Sequence, residues 1–268
     1  MTELKAFFRC IAAHVKMEMM YRTHLVVGLV SQLTFSLLSI VFVGVFLPPG
    51  SSLQGWGFWE ILFLLGLGDA TFGLSAILVF RTFLVFDSAY VLQGELDTLL
   101  VQPVHPLFNL ILRNLQVMEF ITLLKGMALA AIAGVQAGLS WTPENVSLFA
   151  GMILLGGAVY CGIFILLFST GFWFPRRSSV AAPLLSLNQL SQYPLLIYPE
   201  WLKLALSSVL PLGFVAYYPG QYLLESGSLL QTGQALPLWL LALVPGVLLV
   251  AGVRLLEAGQ RRYAGAGS

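Results

Sequence analysis

Six stretches of mostly apolar residues constrain the fold of this chain more than any other feature. A helix rises about 1.5 Å per residue, so about 20 apolar residues are enough to cross the hydrocarbon core of a bilayer. Of the 268 residues, 58% are hydrophobic and only 9% are charged, too few charges to cover a soluble domain. We therefore predict an all-α integral membrane protein that forms one transmembrane domain. The predicted spans are 25–47, 58–80, 110–138, 148–174, 178–198 and 237–256.

Lysine and arginine residues in the short connections orient these spans, because cytoplasmic loops carry an excess of them. Basic residues precede the first span, flank the connection between the second and third, and follow the fourth and the last. The connections 48–57 and 140–146 contain neither residue type. This alternation predicts six crossings with both termini in the cytoplasm.

The segment 199–230 is also apolar, but Pro211 and Pro219 interrupt it. Six crossings leave room for only one span between the basic residues after the fourth span and those after the last. Proline disrupts helical hydrogen bonding, and broken backbone at membrane depth survives only inside protein or along a cavity. We predict outer-side re-entrant helices in 199–230. The alternative places 178–198 at the membrane surface instead.

Residues 1–23 show the pattern of an amphipathic helix. Its basic side chains fall on one stripe and its apolar side chains on the opposite one, which predicts an interfacial helix on the cytoplasmic leaflet. The basic stripe is Lys5, Arg9 and Lys16, and the apolar stripe is Leu4, Phe7, Phe8, Ile11, Val15 and Met19.

Three ionisable residues fall well inside predicted spans, away from the span ends, where charge is costly. Counted from the cytoplasmic ends, Asp69 lies roughly 16 Å deep, Glu119 roughly 13 Å and Lys125 roughly 22 Å. We expect Asp69 and Lys125 to form a buried pair that fixes the packing of the second and third spans. The alternative is a cation or proton relay that includes Glu119.

Small residues recur every four positions along the third span. Such a stripe lets helix backbones approach closely, within one chain or across a subunit interface. The predicted packing residues are Gly126, Ala130, Gly134 and Gly138.

Several kinds of chemistry lack their sequence motif here. The chain has no G-x-x-x-x-G-K-[ST] nucleotide loop, no G-x-S-x-G, no H-E-x-x-H and no His or Cys cluster with metal-ligand spacing. We therefore predict no catalytic, cofactor-binding or metal site, and no enzyme activity. A net charge of +1 gives no basic field for nucleic acid.

Three segments together carry a family resemblance. They are "VLQGELDTLLVQPVHPLFNLI", "YPLLIYPEWLKLALSSVLPLGFVAYYPGQYLL" and the ending "GQRRYAGAGS". Their order and spacing resemble the permease subunits of ABC-2 type exporters, with the type V exporter arrangement of helices. The resemblance implies a dimer, of two copies or with a sister permease, on separate ATPase subunits that bind ATP and magnesium. It also implies the cytoplasmic (inner) membrane of a prokaryote.

In that family the cytoplasmic segment between spans two and three, here 81–106, docks into the ATPase. Its sequence predicts a short helix with acids in the first turn, where they complement the helix dipole, and an apolar face suited to a partner groove. The alternative is a helix that rests on lipid headgroups. The predicted coupling residues are Gly94, Glu95, Leu96, Asp97, Leu99, Leu100 and Pro103.

Other functions are conceivable from the sequence. An ion-coupled secondary transporter would use Asp69, Glu119 and Lys125 and would need no ATPase. A membrane enzyme would need a convergent catalytic set, and a scaffold would transport nothing. The resemblance favours an ATP-driven exporter permease without indicating its substrate.

Overall fold

The computed structural model describes residue 16 and residues 22–48, 50–53, 55–174, 193, 195–226 and 238–263. All structural statements below concern these residues. The predicted interfacial helix 1–23 and the predicted span 178–198 lie almost wholly outside them. The described residues are mainly helical, with one small β-hairpin.

The described residues include ten α-helices, joined by π-helical and 3-10 turns. In chain order the helices are α1 (Arg22–Phe46), α2 (Phe58–Ser75), α3 (Arg81–Val85), α4 (Glu95–Leu100), α5 (Pro106–Arg113), α6 (Phe120–Gln136), α7 (Pro143–Ser169), α8 (Glu200–Leu204), α9 (Tyr217–Ser226) and α10 (Leu238–Arg262). The strands β1 (Ser52–Leu53) and β2 (Trp56–Gly57) pair antiparallel between α1 and α2.

Five stretches are long and apolar enough to cross a membrane. They are Val26–Phe46, Phe58–Leu92, Val117–Gln136, Pro143–Phe172 and Trp239–Arg262. A sixth candidate is the pair Glu200–Ser208 and Leu212–Leu224, which is bent by 72° and is either a broken span or a re-entrant loop. The described residues therefore contain five or six candidate crossings.

The second stretch continues well past its predicted end at residue 80. The π-helical turns Ala76–Phe80 and Phe86–Leu92 flank α3, so helical backbone runs from residue 58 to residue 92. Arg81 suggested that the second span ends at residue 80, but a charged residue does not by itself end a helix. The chain has no glycine or proline between residues 74 and 93 that would do so.

The predicted third span, 110–138, is not one helix. Helix α5 ends at Arg113, and the next helical turn begins at Val117. Bonds to other segments hold the break: the Asn114 side chain donates to the Tyr90 hydroxyl at 2.7 Å, and the Gln116 amide donates to the Ile77 carbonyl at 3.1 Å. Tertiary contacts thus interrupt an apolar run that looked continuous.

Helix α2 lies at the centre of the fold. It packs against α6 on one side and α7 on another, and α7 packs in turn against α10. Aromatic rings fill much of the seam between the second stretch and α7. The rings in mutual contact there include Phe72, Phe80, Phe83, Tyr160 and Phe164.

Of Pro211 and Pro219 in the predicted re-entrant segment, only Pro211 lies at a break in the helical backbone. Pro211 lies at the break that follows the π-helical turn Ala205–Val209. Pro219 does not break a helix, which corrects the prediction: it lies in the first turn of α9, where a missing N–H costs nothing. The β-hairpin packs against the start of α9 through a contact between the Trp56 and Tyr217 rings.

Candidate coupling segment and intramembrane polar residues

Gly94 separates the second stretch from α4. Its φ of 77° is left-handed, a conformation that glycine adopts without steric cost, and it lets the chain turn sharply into α4. Glu95 and Asp97 follow in the first turn, and both side chains are exposed. The helix ends at Leu100, three residues before Pro103. The local geometry is that expected from the sequence.

The leucines of α4 do not form an exposed face, which corrects the predicted docking surface. Leu96 and Leu99 are both 0% exposed, whereas Leu100 is 41% and Val101 is 86% exposed. Helix α4 packs against α5 and the π-helical turn Phe86–Leu92, so its inner face belongs to the hydrophobic core. Only Leu100 and Val101 remain as an apolar tip that a partner can contact.

Hydrogen bonds around α4 join this segment to the spans. The Tyr90–Asn114 bond connects the end of the second stretch to the end of α5, and both side chains are buried. The Asn109 side-chain amide donates to Gln102, just after α4. These polar contacts, of which Tyr90–Asn114 is buried, make 86–116 one packed unit rather than a loose loop.

The structure brings Asp69 and Lys125 together. Lys125 Nζ lies 2.9 Å from Asp69 Oδ2, with 16% of the lysine side chain and 23% of the aspartate side chain exposed. Asp69 is on α2 and Lys125 on α6, so this ion pair lies at the seam of the second and third spans. The predicted contact between the two side chains is therefore present in the structure.

Glu119 does not join that pair. It lies in the 3-10 turn before α6, closer to the end of the span than predicted, because the helix of the span begins only at Val117. Its Oε2 lies 2.7 Å from the Thr122 hydroxyl, which also lies 2.7 Å from Gln32 Oε1 of α1. Glu119, Thr122 and Gln32 are thus a second polar group.

One hydrogen on the Thr122 hydroxyl cannot serve both acceptors at once. If the Gln32 amide is turned so that its NH₂ donates to Thr122, the hydroxyl donates to Glu119 and both contacts are satisfied. The hydrogen bonds then run from Gln32 through Thr122 and end on the carboxylate.

Two of the predicted packing residues lie at the α2–α6 seam. A Cβ added at Gly126 would lie 2.3 Å from the Ala70 backbone nitrogen, and Ala130 is fully buried beside Gly66. Gly134 is also buried, near Trp141. Gly138 lies beyond the end of α6 with a φ of 86° and is exposed, so it terminates the helix rather than packing against another.

The sequence did not point to Gln32, Thr122, Tyr90 or Asn114. Each is an uncharged polar residue in an apolar run, and such residues usually bond within their own helix. Partners on other helices become visible only in three dimensions. Within the part of the chain that the structure describes, no three His, Cys, Asp or Glu side chains are grouped to hold a metal ion.

Several apolar helices and a packed helical connection define a multi-pass helical membrane protein. A family model described as "ABC-2 family transporter protein" matches residues 33–267. The chain therefore belongs to the ABC-2 transporter family and is a transmembrane permease, a membrane transport component of a family that is generally not catalytic. No curated protein and no solved structure matches it.

Proposed function

We propose that this chain is the permease subunit of an ATP-driven exporter. It dimerises with a second copy or a sister permease, and separate ATPase subunits bind ATP and magnesium on its behalf. The complex moves a substrate outward across the inner membrane of a prokaryote, with both permease termini in the cytoplasm. Membership of the ABC-2 family supports this, since permeases of that family associate with ABC ATPases.

The observation that carries the proposal is the division of α4 into an anchored face and an exposed tip. Leu96 and Leu99 are buried in the core, while Leu100 and Val101 are exposed beside two acids. An apolar tip with acidic neighbours fits a partner groove that is apolar inside and basic at its rim. We infer that the ATPase provides such a groove.

The buried face of α4 also allows a movement of its exposed tip to be transmitted to the spans. A partner that shifts the tip shifts α4 as a whole, because Leu96 and Leu99 hold it to α5 and to the end of the second stretch. The bonds from Tyr90 to Asn114 and from Gln116 to Ile77 then connect that movement to the second and third spans. The π-helical turns in this stretch are the kind of local distortion found at functional sites.

The test is co-purification of the permease with its ATPase, together with the ATPase rate of the complex. Val101→Asp and Leu100→Asp place a charge in the proposed groove, so we expect loss of the complex and of ATPase stimulation. His105→Asp is the matched control, because His105 is exposed beyond Pro103 and outside the tip. Retained binding and stimulation in both tip variants would contradict the proposal.

Leu96 is unsuitable as a test of docking. A charge at this fully buried position disrupts the fold, so lost binding would have two explanations. Transport by the permease alone in sealed vesicles, without any ATPase, would favour the ion-coupled transporter instead.

A further inference from the structure

Glu119 differs from Asp69 in that no cationic side chain lies beside it among the residues that the structure describes. Asp69 has Lys125 at 2.9 Å, but among the described residues no Lys, Arg or His lies within 4 Å of Glu119. Its hydrogen-bond partner is the Thr122 hydroxyl. A carboxylate that accepts one hydroxyl bond keeps most of its acceptor capacity for a further partner.

Glu119 also lies at the end of a stretch that is long and apolar enough to cross a membrane. It is the third residue of the stretch Val117–Gln136, so it is at the end of the third span rather than in its middle. An amphiphile with its charged group at this level would have its apolar part in the hydrocarbon region.

The first span forms one side of a seam at this position. Gln32 contacts Thr122, and the side chain of Met118 occupies the space that a Cβ on Gly28 would need. The two contacts keep a constant offset of 90 residues, so α1 and the stretch from Met118 to Thr122 run parallel here. The seam is polar at Gln32, while neighbouring side chains on α1 are apolar and exposed, namely Leu29, Leu33 and Phe35.

We propose that Glu119, positioned by Thr122 and Gln32, binds the positively charged group of an amphiphilic cation that enters this seam from the bilayer. The ligand class is an apolar body with an ammonium or phosphonium charge. Its source is either a transported hydrophobic cation or the amine headgroup of a membrane lipid. This proposal rests on the proposed transport function and names a substrate class for it.

The experiment measures binding of radiolabelled tetraphenylphosphonium to the purified complex of permease and ATPase in dodecyl maltoside, a detergent without charge. Glu119→Gln keeps the shape and an acceptor for Thr122 but removes the charge. We expect binding about tenfold weaker, as for the loss of one ion-pair contact of about 1.4 kcal/mol. Thr122→Val should weaken binding less, because the carboxylate remains. Glu144→Gln, at the start of α7, should leave it unchanged.

Competition with phosphatidylethanolamine distinguishes the two sources. Displacement assigns the site to a lipid amine, and no displacement assigns it to a hydrophobic solute. Unchanged binding to Glu119→Gln would overturn the proposal, as would equal competition by an uncharged tetraphenyl compound. Displacement by millimolar sodium or magnesium would also overturn it, since the site would then take inorganic cations.

The outcomes separate this proposal from the preceding one. If the unsubstituted complex stimulates the ATPase but does not bind tetraphenylphosphonium, the cation site alone is rejected. Intact binding by a permease that associates with no ATPase would reject the coupling proposal alone.

Discussion

The seam between α2 and α6 and the first span α1 are both made of apolar helix, yet they pack very differently. In the most apolar part of the second stretch 78% of residues are buried, against 6% in α1. Lipid is as apolar as leucine, so burial of apolar surface alone does not drive helices together in a membrane. Close backbone contact and polar pairs do, and α2–α6 has both.

The α2–α6 seam is held at backbone distance. Cβ atoms added at Gly66 and Gly126 would each lie under 2.5 Å from backbone nitrogen atoms of the facing helix, 2.4 Å and 2.3 Å respectively. Helix α1 has instead one polar contact at Gln32 and apolar contacts near its end, where Val43 and Leu47 are buried. The difference indicates that α2 and α6 move together, whereas α1 can change its position at lower cost.

The largest effect is expected from Gly126→Ala. The new methyl group would press on the Ala70 backbone, which cannot rotate away, so we expect a loss of about 3 kcal/mol or more and little monodisperse protein. Thermal unfolding in detergent measures it. Gly44→Ala in α1 is the control, because its Cβ would meet Phe58 at an ordinary 3.6 Å. Equal losses from both would remove the distinction.

The Asp69–Lys125 pair should contribute next. Asp69→Asn removes the carboxylate charge that faces Lys125, and Lys125→Met removes the cation that faces Asp69. Each single variant should therefore be less stable than the unsubstituted protein. The double variant should regain part of the loss, with a coupling of about 0.5–3 kcal/mol. A double-mutant cycle on thermal stability gives this number. A double variant no more stable than the single variants would show that the pair does not hold the seam.

Removal of the α1 contact should cost less. Gln32→Leu abolishes the bond to Thr122, and polar contacts between membrane helices average about 0.6 kcal/mol. We expect a small fall in stability with a gain in proteolytic or cysteine-labelling access along α1. A fall as large as that of the ion-pair variants would mean that α1 is as firmly held as α6.

The smallest effect is expected from exposed positions of α1. Leu33→Ala and Leu37→Ala remove side chains that touch little protein, so each should change stability by no more than about 0.5 kcal/mol. Thermal unfolding checks this. A loss in the complex that is absent in the isolated permease would show that a second permease covers this face.

Much of the fold could be predicted from composition and periodicity. Long apolar runs marked the spans, Gly94 marked the turn into α4, and depth counting placed Asp69 and Lys125 within reach of each other. The break at 114–116 could not be predicted, because it depends on bonds from Tyr90 and Ile77. The coupling site was predicted as the segment 81–106. Its exposed tip, Leu100 and Val101, and the Glu119–Thr122–Gln32 group were not predicted.

The sequence by itself determined that this chain crosses a membrane several times, where it is charged, and that a short helix follows the second span. These properties depend on local composition, helix period and turn chemistry. Only the tertiary structure decided that Leu96 and Leu99 face inward while Leu100 and Val101 face outward. An apolar face gains by burial against any surface of suitable shape, so periodicity shows that a face exists but not what covers it.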